Sequence, residues 1–204
     1  MTEAHAQLTA EELAAYADET VDIAQGLGEH VTMMGISAGG ATTAWAAQYR
    51  GDIDLAVIIS PALGFKQIPT PLTAAAMNLY TLLPNSFAWW DPVRQAEAPP
   101  AYAYPRYSTH ALVQTLRLGF AAQAQAQRIR PAAQKIVVVL NANDTAVNNK
   151  LTMDVVNIWQ AHGADLFTYE FEANLKLGHD VIDPTQPDQQ IGIVYPRLID
   201  LMSR

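Results

Sequence analysis

The tightest constraint on what this chain can fold into is an abrupt turn after its first apolar run. The run, Val31–Met34, ends in Gly35-Ile36-Ser37-Ala38-Gly39-Gly40, and an Ala-rich segment from Ala41 to Tyr49 comes next. A short apolar run is typical of a buried strand, whereas alanine favours a helix. A serine set between glycines, where a strand turns into a helix, occupies strained backbone that only small neighbours permit. The pattern predicts that this turn lifts the Ser37 side chain out of a sheet.

Three more short apolar runs predict strands farther along the chain: Leu55–Ile59, Ile136–Leu140 and Leu166–Phe171. Helices are predicted around them: one capped by Thr9 and Glu12 and stopped by Gly26 and Gly28, then Ala41–Tyr49, Leu151–Trp159 and Ile193–Met202, the last with Pro196 near its start. Such alternation favours a parallel sheet covered by helices on both faces. The predicted fold class is α/β, a single three-layer αβα domain over residues 1–204 with a mostly parallel sheet.

One long segment, 61–130, breaks this alternation. Prolines cluster in it beside a set of aromatic residues: Phe87, Trp89, Trp90, Tyr102, Tyr104 and Tyr107. No run in it has the pattern of a strand, so we predict none there. We expect instead a helical cap inserted over the carboxyl edge of the sheet.

Composition excludes several classes of protein. The formal net charge of −8, with 12 Lys and Arg that form no basic run, argues against nucleic acid as a partner. The absence of cysteine excludes disulfides, thiolate metal sites and a cysteine nucleophile. Apolar stretches are interrupted well before 18 residues and the first residues are polar, so we expect no membrane span, no signal peptide and a cytoplasmic location.

Candidates for an acid and a base that would serve Ser37 follow two of the predicted strands. Asp144 lies four residues past Leu140, and His179 follows the Leu166–Phe171 strand. Functional groups in parallel sheets lie just beyond the carboxyl ends of the strands. Ser37, Asp144 and His179 are therefore predicted to meet there as nucleophile, orienting acid and base.

Other interpretations of these residues remain open. The glycine-rich turn could merely join strand to helix, or hold a phosphate, although it lacks the lysine of a P-loop. His110, within 61–130, could touch a ligand, and Asp180 and Asp183 are expected to cap or stabilise the His179 loop. No His, Asp or Glu cluster has the spacing of metal ligands, so we expect no metal site.

With these residues the chain resembles the α/β-hydrolase superfamily, near the monoglyceride-lipase-like carboxylesterases. The resemblance rests on Gly35-Ile36-Ser37-Ala38-Gly39-Gly40, Asn143-Asp144-Thr145-Ala146-Val147 and Gly178-His179-Asp180. It implies hydrolysis of small to medium acyl esters through an acyl-enzyme on Ser37, with the Ala38 N–H in the oxyanion hole, a lid formed by 61–130 and no cofactor. The substrate is then expected to contact Ile36, Trp89, Trp90 and Val147.

One departure from the family pattern leads to a further prediction. Members usually carry additional strands ahead of the nucleophile strand, whereas here only one helix precedes Val31. The Val31–Met34 strand would then have an exposed edge, and apolar edges invite association. We predict that another copy of the chain, or another polypeptide, covers this edge and makes the protein an oligomer.

A second function remains open at this stage. The chain could be a non-catalytic or weakly active hydrolase half that binds a ligand or partner, since loss of one oxyanion donor lowers turnover about 100- to 1,000-fold. Within the same chemistry, acyl transfer and thioester hydrolysis also remain open.

Overall fold

Helices and strands alternate along residues 3–90 and 104–203, the part of the chain described by a computed structural model. The helices are α1 (Ala10–Gln25), α2 (Ala38–Tyr49), α3 (Thr73–Leu82), α4 (Thr109–Ala126), α5 (Asn149–Ala161) and α6 (Ile191–Met202). Short 3-10 turns occupy Ala4–Gln7, Thr70–Leu72 and Ala173–Leu175. The strands are β1 (Thr32–Ile36), β2 (Leu55–Ile59), β3 (Phe87–Trp89), β4 (Arg106–Ser108), β5 (Lys135–Asn141) and β6 (Leu166–Phe171).

The main sheet has four strands in the order β1-β2-β5-β6, and every pair is parallel. The four strands therefore follow one another across the sheet in chain order, with β3 and β4 left out, and their carboxyl ends share one edge. The four strands are those that the sequence predicts: β2 and β6 have the predicted bounds, and the bounds of β1 and β5 differ by one or two residues. The predicted α/β class and parallel sheet are confirmed.

Two cores, one on each face of the sheet, account for the apolar runs. Alternate residues of β2 point to opposite faces, as the pleat requires. Ala56 and Ile58 join the main core under α1, α2 and α5, whereas Leu55, Val57 and Ile59 join the second core under α6. Burial on both faces explains why β2 is apolar throughout rather than alternating.

Helix α1 begins as its sequence predicts. The Thr9 hydroxyl accepts a hydrogen bond from the N–H of Glu12 (3.1 Å), and the Glu12 carboxylate accepts one from the N–H of Thr9 (2.8 Å). This reciprocal capping box satisfies two backbone donors that a helix start otherwise leaves unpaired. Within the described residues, no helix combines the length and apolarity that crossing a bilayer would require.

The prediction of no strand within 61–130 is wrong. Strands β3 and β4 pair antiparallel as a small ribbon, with Phe87 opposite Ser108 and Trp89 opposite Arg106. Each has only three residues, too few to show a strand period in the sequence. Residues 91–103 of the predicted cap lie outside the described residues.

Both ends of 61–130 pack into the main domain. Leu63 and Ala126 belong to the main core, and α4 lies against α2 over most of its length. The Ser108 hydroxyl caps α4 by accepting a hydrogen bond from the N–H of Ala111 (3.2 Å).

Helix α6 starts two residues earlier than predicted, and this changes the place of its proline. Pro196 lies in the second turn of the helix rather than near its start. Proline has no N–H to donate to the carbonyl four residues back and crowds that carbonyl with its ring. Here that carbonyl belongs to Gly192, an exposed residue, so water can satisfy it.

Among the residues that the structure describes, strand β1 is the end strand of the sheet, and its outer edge is exposed as predicted. Met34 on this strand is 46% exposed, and Tyr16 on the facing side of α1 is 63% exposed. Between α1 and the start of α2 the edge opens into a groove of about 460 Å³ with mainly apolar lining, which reaches Ala38 and Gly39. That another copy of the chain, or another polypeptide, covers this edge stays a prediction.

We expect the isolated chain to associate through this edge. Light scattering should then give a mass above the 22.2 kDa of one chain. Met34→Lys should raise the dissociation constant at least about tenfold, because a buried interface excludes an unpaired charge. Ile199→Lys is the matched control, since Ile199 is similarly exposed (58%) but lies on α6, under the opposite face of the sheet. A wild-type chain that stays monomeric at high concentration would contradict self-association.

Candidate active site

Ser37 occupies the turn between β1 and α2 in a conformation that side chains rarely adopt. Its backbone has φ 57° and ψ −116°. Such strain costs on the order of 1–3 kcal/mol and persists only where the surroundings hold it. The Ser37 N–H donates to the carbonyl of Ile59 (3.1 Å), and its own carbonyl accepts from the N–H groups of Ala41 and Ala62 (both 2.9 Å). The strained strand-to-helix turn predicted from the sequence is confirmed.

Two of the three glycines in this turn are sterically required. A Cβ on Gly35 would collide with the backbone of Gly39 and lie 2.7 Å from the Thr43 hydroxyl. A Cβ on Gly40 would lie 2.8 Å from the carbonyl oxygen of Ile59. A Cβ on Gly39 would have no atom within 4 Å, because it would point into the open groove. The serine turn therefore depends on Gly35 and Gly40 rather than on Gly39.

Ala38 is the first residue of α2, directly after Ser37. The first N–H groups of a helix have no acceptor within the helix, and the helix dipole makes this end attractive to an anion. Ala38 is itself an exposed residue. This placement suits the oxyanion role predicted for Ala38.

Asp144 and His179 are in direct contact at the carboxyl edge of the sheet. The Nδ1 of His179 lies 2.8 Å from the Oδ2 of Asp144, and the Asp144 side chain is fully buried. The other carboxylate oxygen, Oδ1, accepts hydrogen bonds from the N–H groups of Ala146 (2.9 Å) and Val147 (3.0 Å). With its proton on Nδ1, a neutral His179 presents a basic Nε2 on the far side of the ring.

The contact shifts the pKa of both partners. Burial disfavours the Asp144 carboxylate, but the hydrogen bond and charge of His179, with the N–H groups of Val147 and Ala146, outweigh burial and lower the pKa of Asp144. Burial likewise disfavours the His179 imidazolium, and the hydrogen bond and charge of Asp144, with a smaller effect of Asp180, outweigh it and raise the pKa of His179. The pair thus favours a charged acid beside an imidazole that readily takes up a proton.

The loop after β2 holds the Asp144 loop in place. Lys66 Nζ donates to the carbonyl oxygen of Asp144 (2.6 Å), and the Lys66 N–H donates to the carbonyl of Ala146 (3.0 Å). The Gln67 amide adds a hydrogen bond to the carbonyl of Thr145 (3.0 Å). The sequence analysis does not single out Lys66, since nothing local shows that it reaches a loop 78 residues away.

Asn141, the last residue of β5, is a second residue that the sequence analysis misses. Its side chain lies between the Asp144 loop and the His179 loop. The density of Asn and Asp in 141–149 is the signal that could have drawn attention to it, because these side chains readily bond to nearby backbone.

The predicted substrate-contact residues lie in different surroundings. Ile36 ends β1, half-buried against the second core. The Val147 side chain is buried in the main core, and its N–H is engaged by Asp144. Trp89 is half-buried on β3, and the exposed ring of Trp90 stacks on Tyr107 with centroids 4.3 Å apart. Contact between these four residues and a substrate stays a prediction.

The other sequence candidates have structural partners. His110 Nε2 lies 2.8 Å from the carbonyl oxygen of Leu83, at the start of α4. The Asp183 carboxylate accepts from the N–H and hydroxyl of Thr185 (both 2.8 Å) and from the Gln186 amide (2.9 Å). Asp183 therefore stabilises the turn that follows His179, in line with the prediction for it.

Known structures match this fold over nearly the whole chain. One, described with the metagenome-derived lipolytic enzymes LipS and LipT, has a TM-score of 0.67 at 19% identity and covers 98% of this chain and 75% of its own. A monoacylglycerol lipase from Paleococcus ferrophilus has a TM-score of 0.66 at 21% identity, over 96% of this chain and 75% of its own. A soluble variant of monoglyceride lipase from Saccharomyces cerevisiae has a TM-score of 0.64 at 12% identity, over 95% of this chain and 67% of its own. No family model matches the chain, and no curated protein matches it in sequence.

We expect the two glycines that flank the serine turn to respond oppositely to alanine. Gly35→Ala should destabilise the protein by about 1–3 kcal/mol through overpacking, a fall in Tm of roughly 2–12 °C. Gly39→Ala should leave Tm unchanged or raise it, since its Cβ meets open space and alanine favours a helix over glycine by about 0.5–1 kcal/mol. Thermal unfolding of the two variants beside the wild type checks this. Equal losses of Tm would show that the turn does not discriminate between the two positions.

Proposed function

We propose that this chain, which has an α/β-hydrolase fold, is a serine hydrolase that cleaves small to medium carboxylic esters through an acyl-enzyme on Ser37. The observation that carries the proposal is the 2.8 Å contact of His179 with buried Asp144, at the same sheet edge as the strained Ser37 turn. The matched structures named as lipolytic enzymes and monoacylglycerol lipases support the choice of esters as substrates.

In the first half-reaction Ser37 is acylated. His179 Nε2 takes the proton of the Ser37 hydroxyl while Oγ forms a bond to the ester carbonyl carbon. The carbonyl oxygen becomes an oxyanion, which accepts a hydrogen bond from the N–H of Ala38 at the positive end of α2. The tetrahedral intermediate then collapses, His179 returns the proton to the departing alkoxide, and an alcohol leaves the acyl group on Ser37.

In the second half-reaction water replaces the alcohol. His179 removes a proton from water as its oxygen attacks the acyl carbon, and the same N–H group holds the new oxyanion. Collapse breaks the bond to Ser37 Oγ, which regains its proton from His179, and a carboxylic acid is released. Asp144 stays ionised throughout and stabilises the imidazolium form of His179 in each transition state.

The segment 61–130 supports an uncharged acyl group as the ligand. Residues 67–90 contain no charged side chain, and several large apolar or aromatic side chains there are exposed: Leu72, Leu79, Tyr80, Leu82, Leu83 and Trp90. The segment also begins beside the site, since Phe65 pairs with Val147 in an isolated bridge next to the Asp144 loop. We propose that it forms the lid of the acyl site, with Ile36, Trp89, Trp90 and Val147 lining the pocket.

Hydrolysis of p-nitrophenyl acetate and butyrate by the wild-type chain and by Ser37→Ala tests the proposal. Turnover by the wild type should fall by at least about 10³-fold in the variant, because the nucleophile is gone. A fluorophosphonate probe should label the wild type and leave Ser37→Ala unlabelled. Equal background hydrolysis and no labelling would contradict the proposal and favour a non-catalytic hydrolase half that binds a partner or ligand.

The pH dependence follows from the His179–Asp144 pair. Only neutral His179 can accept the Ser37 proton, so kcat/KM should rise with pH through the raised pKa of His179. In Asp144→Asn the carboxylate that raises this pKa is removed, while burial still lowers it. The rise of kcat/KM with pH should therefore occur at lower pH in this variant. Its kcat should fall by about 10⁴-fold, because the imidazole loses its orienting acid.

Asp154→Asn is the matched control for that variant. Asp154 is also an aspartate near the site loops in sequence, but it lies on the outer face of α5 in an exposed pair with Lys150 (3.1 Å). Its substitution should leave both kcat and the rise of kcat/KM with pH unchanged. A pH profile that is the same in wild type and Asp144→Asn would argue against His179 as the base.

A further inference from the structure

We propose that Asn141 is a positioning residue. Its side-chain amide holds the His179 loop against the Asp144 loop, so that His179 stays within hydrogen-bonding distance of Asp144. This inference rests on the proposed serine-hydrolase function and adds to it a residue that acts through His179 rather than on the substrate.

The Asn141 side chain is fully engaged and 1% exposed. Its Nδ2 donates to the carbonyl oxygens of Leu177 (3.1 Å) and Gly178 (2.7 Å), the two residues directly before His179. Its Oδ1 accepts from the N–H of Asn143 (3.0 Å), the residue directly before Asp144. One amide thus contacts the backbone beside both members of the pair.

The His179 loop needs such an attachment. Strand β6 ends at Phe171, and the chain then passes through the short 3-10 turn Ala173–Leu175 and the left-handed Lys176 (φ 52°) before it reaches His179. The sheet ladder therefore does not extend to the base. Further side-chain amides hold the earlier part of the loop: Asn143 donates to the carbonyl of Ala173 (2.9 Å) and Gln190 to that of Leu175. Of these amides, that of Asn141 bonds to the residues nearest His179 in the chain.

Asn141 is itself fixed by the strand that carries it. It is the last residue of β5 in register with Phe171 of β6, and its backbone carbonyl accepts from the Asn149 amide (2.8 Å) at the start of α5. Because an amide does not titrate, this connection keeps its geometry at every pH at which His179 gains and loses a proton. Displacement of a reacting group by about 1 Å can cost roughly 100-fold in rate.

The chain offers a matched control in Gln48. Its amide is also 1% exposed, donates to two backbone carbonyls (Ile129 and Arg130, both 3.4 Å) and accepts one N–H, from the Trp159 indole (2.7 Å). It lies at the carboxyl end of α2, away from the loops that carry Asp144 and His179. Gln48→Met and Asn141→Leu both remove a buried amide of the same connectivity, so they separate loss of stability from loss of positioning.

The experiment compares wild type, Asn141→Leu, the milder Asn141→Ser and Gln48→Met in p-nitrophenyl butyrate hydrolysis, with Tm measured for each. We expect kcat of Asn141→Leu to fall about 10- to 100-fold with KM changed less than about threefold, and Asn141→Ser to lie between it and the wild type. Gln48→Met should lower Tm and leave kcat unchanged. Asn141→Leu with wild-type kcat would overturn the proposal.

A second readout does not need turnover. In a Ser37→Ala background, NMR titration of the His179 ring should give a pKa lower by about one pH unit in Asn141→Leu, because a loosened loop weakens the Asp144 contact. Gln48→Met should leave the pKa of His179 in this titration unchanged. An unchanged His179 titration would overturn the proposal, and so would loss of folding in both Asn141 variants, which would assign Asn141 to the core alone.

The two proposals fail in different ways. If wild type and Ser37→Ala hydrolyse ester equally, the serine-hydrolase function fails, and the His179 titration still tests the Asn141 contact. If Ser37→Ala abolishes turnover while Asn141→Leu retains both kcat and the titration, only the role of Asn141 fails.

Discussion

Parallel pairing of β1, β2, β5 and β6 is the constraint on which the other features depend. Since all four strands run the same way, the loops that follow them leave one edge of the sheet. Ser37, Asp144 and His179 follow three of these strands and come from distant parts of the sequence. Backbone hydrogen bonds within the buried ladder fix the spacing of the strand ends from which the three loops start.

Two features of the site are unfavourable in free energy by themselves, and contacts with the rest of the fold stabilise both. The positive φ of Ser37 is unfavourable by itself, but three backbone hydrogen bonds from β2, α2 and the following loop hold it. The carboxylate of Asp144 is unfavourable in a buried position, but two backbone N–H groups and His179 satisfy its oxygens. Ser37 is thus stabilised by backbone groups of neighbouring elements, and Asp144 by two backbone N–H groups together with His179.

Much of this arrangement is readable from the sequence because it is encoded locally. The four sheet strands are apolar runs, the start of α1 is a capping box of adjacent residues, and the serine turn is a contiguous hexapeptide. Asp144 and His179 can be predicted because each lies in the loop that follows such a run. Where a feature depends on residues close in the chain, the sequence pattern predicts the structure that is observed.

The features that the sequence analysis misses depend on tertiary contacts. The three-residue strands β3 and β4 are stabilised by each other, and neither has a strand period alone. Pro196 lies inside α6 because the helix extends back to Ile191, where Gln190 offers no side-chain cap that would mark the start. The Asn141 amide reaches carbonyls 36 and 37 residues away, and no local pattern specifies that contact.

The order of the strands has a consequence for how the protein is made. Because each strand of the sheet pairs with the one synthesised before it, the sheet can grow in one direction as the polypeptide leaves the ribosome. At about 5–20 residues per second, Ser37 emerges roughly 7 to 28 seconds before His179. During that interval the nascent chain carries Ser37 without His179, so the loops that bear the candidate site residues come together only when the last strand and its loop have been translated.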